Sequence, residues 1–419
     1  MRQTFEIALD IPDVTIESVT TNHNGHIEIT VQSTIEGTPC HQCGKMTTKF
    51  YGEDREITLR HLPILGRKTS IRLRPKRYQC LHCRGNPTTT QQLSWYAPRS
   101  SFTKSYEAQV LLSLINSTVK DVSMKEDIGY EAIMGIIDRH IEREINWDDL
   151  RPFEVIGLDE ISLKKGHRDF VAIITGRMET ETVILGVLPD RQKSTVKAFL
   201  CGIPQHIRQT IHFVCSDMYE GFVNAAKEVF GKRVKIVIDR FHVAKLYRRG
   251  LDTLRKQELQ RLKQKLSEED YSQLKGAMWA LRKPEEKLTD EEKGILVCLF
   301  AHSPCLQMAY DLCRELTSIF DTQLSKSQGK RQLQQWMKKV RASQLCCFDS
   351  FLTTLEHRLD DVANYFIDRH TSGFVEGFNN KLKVLKRRCY GILNVTHLFQ
   401  RIQLDLYGYS LFTQKIIEL

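Results

Sequence analysis

The chain has 419 residues, with 61 Lys and Arg against 51 Asp and Glu, for a net charge of +10. That length exceeds one ordinary domain and predicts three or four units. The cationic excess leans mildly towards a polyanionic partner. No uninterrupted apolar run nears the ~18 residues of a membrane-spanning helix, so no membrane association is expected. The amino-terminal MRQTFEIALDIPDV has charges spread through it and no apolar core, which argues against a signal peptide. The expectation is a soluble intracellular protein whose 12 cysteines stay reduced.

The first hundred residues read as β-rich. IEITVQST and KTSIRLRPKRYQC alternate or enrich β-branched residues between Gly and Pro breaks. Within them, PCHQCG sets Cys40 and Cys43 two residues apart, and YQCLHC does the same for Cys80 and Cys83. Each C-x-x-C turn aims two thiolates at one point, and two turns close a tetrahedron. Four soft sulfur ligands favour a single structural Zn²⁺. The gap of 36 residues between the pairs suits a ribbon with a β excursion. His41, His61 and His82 are read as bystanders.

From about 102 to 145 the pattern turns helical. In TVKDVSMKEDIGYEAIMGIIDRHI, Val119, Val122, Ile128, Ile133, Ile136, Ile137 and Ile141 fall where a helix-turn-helix buries its apolar side chains. The second helix is expected near Tyr130. Asp127 takes the turn position that usually holds Gly, in a left-handed conformation that Asp tolerates. Glu131 and Asp138 on the second helix are poor company for phosphates. A plain helical pair packed on a neighbour is the alternative.

Between 153 and 238, FEVIGLDE, DFVAIITG, ETVILGVL, TIHFVCSD and VKIVID read as strands, the last two separated by a helix around GFVNAAKEVF. That order predicts a mixed α/β sheet. Asp159 and Asp217 stand at the ends of two of these strands. Carboxylates held so rigidly suit two divalent cations of a phosphoryl-transfer site, and Mg²⁺ prefers such hard oxygen ligands. The bland alternative is that each Asp caps the next turn. Residues 241–370 read as helical, punctuated by caps at Ser267, Thr289 and Ser303–Pro304.

In TSGFVEGFNNKLKVLKRRCYG, Thr371, Ser372 and Gly373 predict a helix start. Phe374, Phe378, Leu382 and Leu385 form one face, and Glu376, Asn380, Lys383 and Arg387 another. Glu376 falls in the first turn, where the helix dipole stabilises its charge. Gly377 leaves room for close backbone approach. Lys381, Lys383, Lys386, Arg387 and Arg388, with Asn380 beside them, are expected to hold DNA phosphates.

GLDEISLKKGHRDF, LPDRQKSTV, CSDMYEGF, IDRFHVAKLY and SGFVEGFNNKLKVLKRRCYG together resemble the signature blocks of bacterial insertion-sequence transposases of the ISL3 family, in the DDE superfamily. The resemblance covers nearly the whole chain. It implies an RNase H-like core, a catalytic triad of Asp159, Asp217 and Glu376 that binds two Mg²⁺ (Mn²⁺ as a substitute), and a large all-helical insertion before the Glu. It places Asp239 and His242 near the active site without a defined role. The division it suggests is a zinc-binding domain at 1–98, a helix-turn-helix at 99–150, a catalytic core from 151–240 and 371–419, and the insertion at 241–370. The implied partners are double-stranded DNA, as element ends and target, and further copies of the chain in a dimer or larger assembly. The implied location is the bacterial cytoplasm, on the nucleoid. The alternatives are a non-catalytic DNA-binding regulator derived from a transposase, and an RNase H-like nuclease without strand transfer.

Overall fold

The computed structural model describes residues 9, 11–162, 170–178, 181–369, 373–388 and 394–417, with 373–376, 379, 386 and 414–417 described as backbone alone. Packing divides the chain into two compact units. One comprises Met1–Arg143, Arg387–Tyr390 and His397–Leu419; the other comprises Glu144–Lys386 and Gly391–Thr396.

The first unit opens with strands β1 (Val14–Thr21), β2 (Ile27–Ser33), β3 (Thr38–Pro39), β4 (Met46–Thr47), β5 (Lys49–Glu53), β6 (Ile57–Ile64), β7 (Arg67–Leu73), β8 (Lys76–Gln79) and β9 (Thr88–Thr90). The order β1-β2-β7-β6 makes one sheet. Alternation along its strands buries Ile29, Val31, Leu59, Ile71 and Leu73 with Leu93 and Trp95. KTSIRLRPKRYQC spans most of β7 and all of β8. Pro75 has no N–H for a ladder, and β8 joins β5 and β9 in a separate sheet.

Helices α1 (Lys104–Leu114), α2 (Val119–Glu126) and α3 (Tyr130–His140) follow. The Thr118 hydroxyl accepts from Asp121 N–H and caps α2. Asp127 ends α2 with φ 50° and ψ 55°, the left-handed turn expected of it. Val122, Ile133, Ile136, Ile137 and Ile141 are buried in one cluster, with Val119 and Ile128 packed against it.

The second unit carries β10 (Val155–Ser162), β11 (Phe170–Met178), β12 (Glu181–Leu188), α4 (Lys193–Gly202), α5 (Gln205–Arg208), β13 (Phe213–Ser216), α6 (Glu220–Phe230) and β14 (Lys235–Ile238). Their sheet runs β12-β11-β10-β13-β14. The first three strands are antiparallel, and β10, β13 and β14 are parallel. This is the RNase H-like mixed sheet. Val155–Leu158 of β10, β13 and Ile236–Ile238 of β14 are buried, as expected where both faces of parallel strands are covered.

Eight helices come next: α7 (Arg240–Lys265), α8 (Glu268–Ser272), α9 (Ala277–Ala280), α10 (Asp290–His302), α11 (Pro304–Asp321), α12 (Lys326–Ala342), α13 (Asp349–Ala363) and α14 (Tyr365–Asp368). Their caps are the expected ones. Ser267 accepts from Asp270 N–H, Thr289 and Glu292 form a capping box, and Pro304 opens α11. The helical segment is not a separately packed body. Its Val243, Leu316 and Trp336 share one core with Val214 and Ile236 of the sheet. Asn364 Nδ2 also donates to the Ile236 carbonyl of β14 at 2.7 Å.

Two helices close the described chain, α15 (Gly373–Arg388) and α16 (Val395–Ile417). The division suggested by sequence assigned 371–419 to the catalytic core. Instead, residues from His397 onward join the amino-terminal unit. Leu404 and Phe412 enter the core of the three-helix region. Gln400 Nε2 donates to Asp138 and to the Ile141 carbonyl, each at 3.0 Å, and Arg401 Nη2 donates to the Leu114 and Ser117 carbonyls at 3.0 and 2.9 Å.

Candidate metal centres and nucleic-acid interface

Two knuckles bring the cysteine pairs together. In the first, Cys40 lies between the short strands β3 and β4, and its carbonyl accepts from Gly44 N–H at 2.9 Å. Gly44 adopts φ 69°, the left-handed turn for which glycine is suited. The second, between β8 and β9, is closed by Cys80 N–H to the Pro87 carbonyl at 2.9 Å. Cys40 and Cys83 Sγ stand 3.9 Å apart, and Cys43 and Cys80 Sγ 3.8 Å. All four sulfurs lie within 4.8 Å of one another. A tetrahedron with Zn–S bonds of ~2.3 Å has sulfur edges of ~3.8 Å, so the donor set and its size fit structural zinc. The backbone N–H groups of Cys43 and Gln42 lower the Cys40 thiol to about 6, towards the thiolate that a metal binds. Hydrogen bonding with Cys43 leads the causes that push Cys83 up to about 12. His41 Nδ1 pairs with Thr89 Oγ1 at 2.9 Å and buried His61 Nδ1 with Thr103 Oγ1 at 3.0 Å, and no histidine joins the cysteine group. Among the described residues this is the one cluster of three or more ligand atoms.

The acids are arranged by strand register. Leu158 pairs with Ser216, and Ser216 with Ile238. The next residue on each chain is Asp159, Asp217 and Asp239. Three neighbouring parallel strands thus deliver an aspartate at one level of the sheet, by the carboxyl ends where α/β folds bind ligands. One expectation is corrected here: Asp159 does not end its strand. β10 continues to Ser162 because β11 pairs along its whole length, with Asp159 opposite Ile173. Only the pairing with β13 stops at Leu158.

The local bonds are specific. Asp217 Oδ1 accepts from Tyr219 N–H at 2.9 Å, and Asp159 Oδ1 accepts from Glu160 N–H at 2.7 Å. Asp239 is 2 % exposed and caps α7, accepting from Phe241 N–H at 3.1 Å, with its Oδ2 4.0 Å from His242 Nε2. Turn capping and membership of the row therefore coexist in Asp217 and Asp239. Sequence reading missed Arg191, which pairs with Glu160 at 2.5 Å and lies over the rings of Phe170 and Tyr219, 4.5 and 4.6 Å from their centres. Its guanidinium pKa is raised, chiefly by the Glu160 bond. Its only sequence signal was its place in LPDRQKSTV, which carried no assigned chemistry.

Glu376 belongs by backbone to the first turn of α15, and its side chain lies outside the described residues, as does that of Lys386. Phe378, Leu382 and Leu385 are buried, which matches the apolar face expected of this helix. Asn380, Lys381, Lys383, Arg387 and Arg388 are exposed. Arg388 Nη1 donates to Asn116 Oδ1 at 2.8 Å. A Cβ at Gly377 meets nothing within 4 Å, so no close approach among the described residues requires glycine there.

The helix-turn-helix has its own polar lock. Glu107 is fully buried and receives Arg139 Nη2 at 2.5 Å, His140 Nε2 at 2.6 Å and Ser100 Oγ at 2.8 Å. The carboxylate of Asp138, suspect as a phosphate neighbour, is held by Gln400 and by Arg143 at 3.0 Å. Tyr130 and Glu131 remain exposed at the start of α3.

Three family models match the chain. A model described as a transposase, of the ISL3 group, covers residues 156–402. The helix-turn-helix domain of transposase family ISL3 covers 91–141, and the zinc-finger of transposases IS204/IS1001/IS1096/IS1165 covers 36–83. Among curated proteins, the transposase for insertion sequence element IS1001 of Bordetella parapertussis is 24 % identical over 365 residues, 87 % of each chain. The transposase for insertion sequence element IS1557 of Mycobacterium tuberculosis is 22 % identical over 394 residues, 88 % of this chain and 86 % of the relative.

Proposed function

The chain belongs to the ISL3 family of insertion-sequence transposases, and from that premise we propose that it binds the terminal inverted repeats of its own element, cuts there and joins the freed end to target DNA. The observation that carries this reading is the aspartate row set by the Leu158–Ser216–Ile238 register. Asp159 and Asp217, with Glu376 from α15, would hold two Mg²⁺, which supply charge to activate the attacking oxygen and stabilise the leaving one. Hard carboxylate oxygens at neighbouring strand positions suit that ion. In the first reaction water attacks a phosphodiester and releases a 3′-hydroxyl. In the second that hydroxyl attacks a target phosphodiester and displaces its 3′ oxygen. No covalent protein intermediate is required. The zinc ribbon and helix-turn-helix select the ends, while Lys381, Lys383, Lys386, Arg387 and Arg388, with Asn380, grip phosphates. Asp239 and His242 hold the start of α7 against the acid row. The protein works as a dimer or larger on paired ends, in the cytoplasm at the nucleoid.

The test is a labelled element end incubated with the protein in Mg²⁺, alongside a pre-cleaved end offered a target plasmid. Cleavage and joining by the native protein, and neither by Asp159→Asn at unchanged gel-shift affinity, is the expected result. Cleavage without joining of the pre-cleaved end would identify a nuclease. Binding without either reaction would identify a regulator.

A further inference from the structure

Helix α7 carries a stripe that the catalytic reading does not use. Phe241, Lys245, Arg248, Asp252 and Arg255 recur at steps of four, three, four and three residues, and so share one helix face. They line a cavity of about 560 Å³ closed on the far side by Met278, Leu281 and Arg282. Five cations surround it, Lys245, Arg248, Arg249, Arg255 and Arg282, against the single acid Asp252. Arg255 and Arg282 share Asp252, at 2.8 and 3.4 Å. Lys245, Arg248 and Arg249 are exposed and form no ion pair among the described residues. At the mouth Phe241 is 50 % exposed, an apolar ring kept in water. The cavity starts two residues from Asp239, the cap of α7 and the third member of the acid row. At 1.5 Å per residue the stripe leads ~21 Å away from that row.

We propose that this groove holds a single-stranded segment of DNA leaving the acid row, with an unstacked base on Phe241 and the following phosphates on Lys245, Arg248 and Arg249. This rests on the transposase reading. The charge balance selects a polyanion. The volume lies in the range that encloses one small organic moiety and is too small for a duplex. An exposed aromatic ring beside unpaired cations is the combination by which proteins hold unpaired strands without reading sequence.

The experiment uses the full chain and fluorescence anisotropy with two probes: an element end with a five-nucleotide single-stranded extension and the same end blunt. The native protein should prefer the extended end. Phe241→Ala should weaken binding of the extended end about tenfold, leave the blunt end within twofold, and be rescued by Phe241→Trp. The double variant Lys245→Ala/Arg248→Ala should lower the salt slope on the extended end by about 1.4 units, ~0.7 for each lost contact to a single strand. Equal losses on both probes, no loss at all, or no preference in the native protein would each overturn the proposal. Cleavage of the blunt end by the native protein separates the two claims. If it cleaves while the variants keep the preference, the groove alone is refuted; if it neither binds nor cleaves any element end, the underlying reading falls too.

Discussion

The cysteine cluster and the aspartate row are both ligand sets, and they are built in opposite ways. The cysteines sit on two tight knuckles, each closed by backbone bonds within a few residues, so the spacing C-x-x-C encodes most of the geometry. The aspartates come from strands joined by long excursions, 58 residues from Asp159 to Asp217, and nothing local aligns them. Their alignment is a property of sheet register. A locally built site fails locally when damaged, whereas a site built by register survives loss of a ligand with its scaffold intact.

The largest expected effect tests the second half of that contrast. Asp217→Asn keeps an oxygen to accept the Tyr219 N–H and removes the charge, so the turn should stand. Cleavage should fall by orders of magnitude while thermal stability and DNA binding hold. Glu376→Gln should behave alike, and the two losses should not add, because the ligands act as one unit. Near-normal cleavage by either variant would remove that residue from the site.

Next comes zinc. Metal analysis should find about one zinc per chain, and Cys40→Ser/Cys43→Ser should abolish it. Hydrogen exchange should then rise in 38–53 and 76–90 and spare the sheet β1-β2-β7-β6, which has an apolar core of its own. Loss of protection across the second unit would show that the cysteine site is not local.

A smaller effect concerns Glu107, a buried charge also built from distant parts of the sequence. Burial pushes its carboxyl up, but the bonds from His140, Arg139 and Ser100 outweigh this and hold it below the usual range. Its contribution is therefore present above the unfolded value of ~4.3 and is lost as pH falls through the lowered folded value. Glu107→Gln should cost about 2–3 kcal/mol at neutral pH, the lower end for a broken buried pair because Arg139 keeps contact with water. The deficit should shrink in melts taken below pH 4. A pH-independent deficit would mean that packing, not charge, is what Glu107 supplies.

The smallest effect is electrostatic. Lys383→Ala and Arg387→Ala should each reduce the salt slope of duplex binding by about one unit, equally for any sequence. Loss confined to element ends would make α15 a reader of bases.

The same contrast explains what the amino-acid sequence discloses. Local chemistry was legible: the cysteine knuckles, the left-handed Asp127, the Thr289–Glu292 box and the apolar face of Phe378, Leu382 and Leu385 all follow from a few neighbouring residues. The five strands of the mixed sheet were legible as apolar runs, although α4 and α5 between β12 and β13 were not. Asp159 was misread as a strand end because its sequence context cannot show that β11 pairs beyond it. The resemblance put Asp239 near the active site, but its level with Asp159 and Asp217 follows only from the register. The docking of Leu404 and Phe412 on the three-helix cluster is a contact across the length of the chain, and no periodicity encodes it.

That last contact has a consequence in time. Asn116 N–H donates to Asp405 Oδ1, a bond across 289 residues of sequence. At ~5–20 residues per second of synthesis, the helix-turn-helix leaves the ribosome about 15–60 s before α16 arrives to cover it. During that interval Ile115, which lies beside Gly408 of α16 and is buried in the finished protein, lacks part of its cover. Nascent chains arrested before residue 397 should accordingly be more protease-sensitive across 104–141 than full-length protein, and a chaperone that binds apolar helices would find its target there.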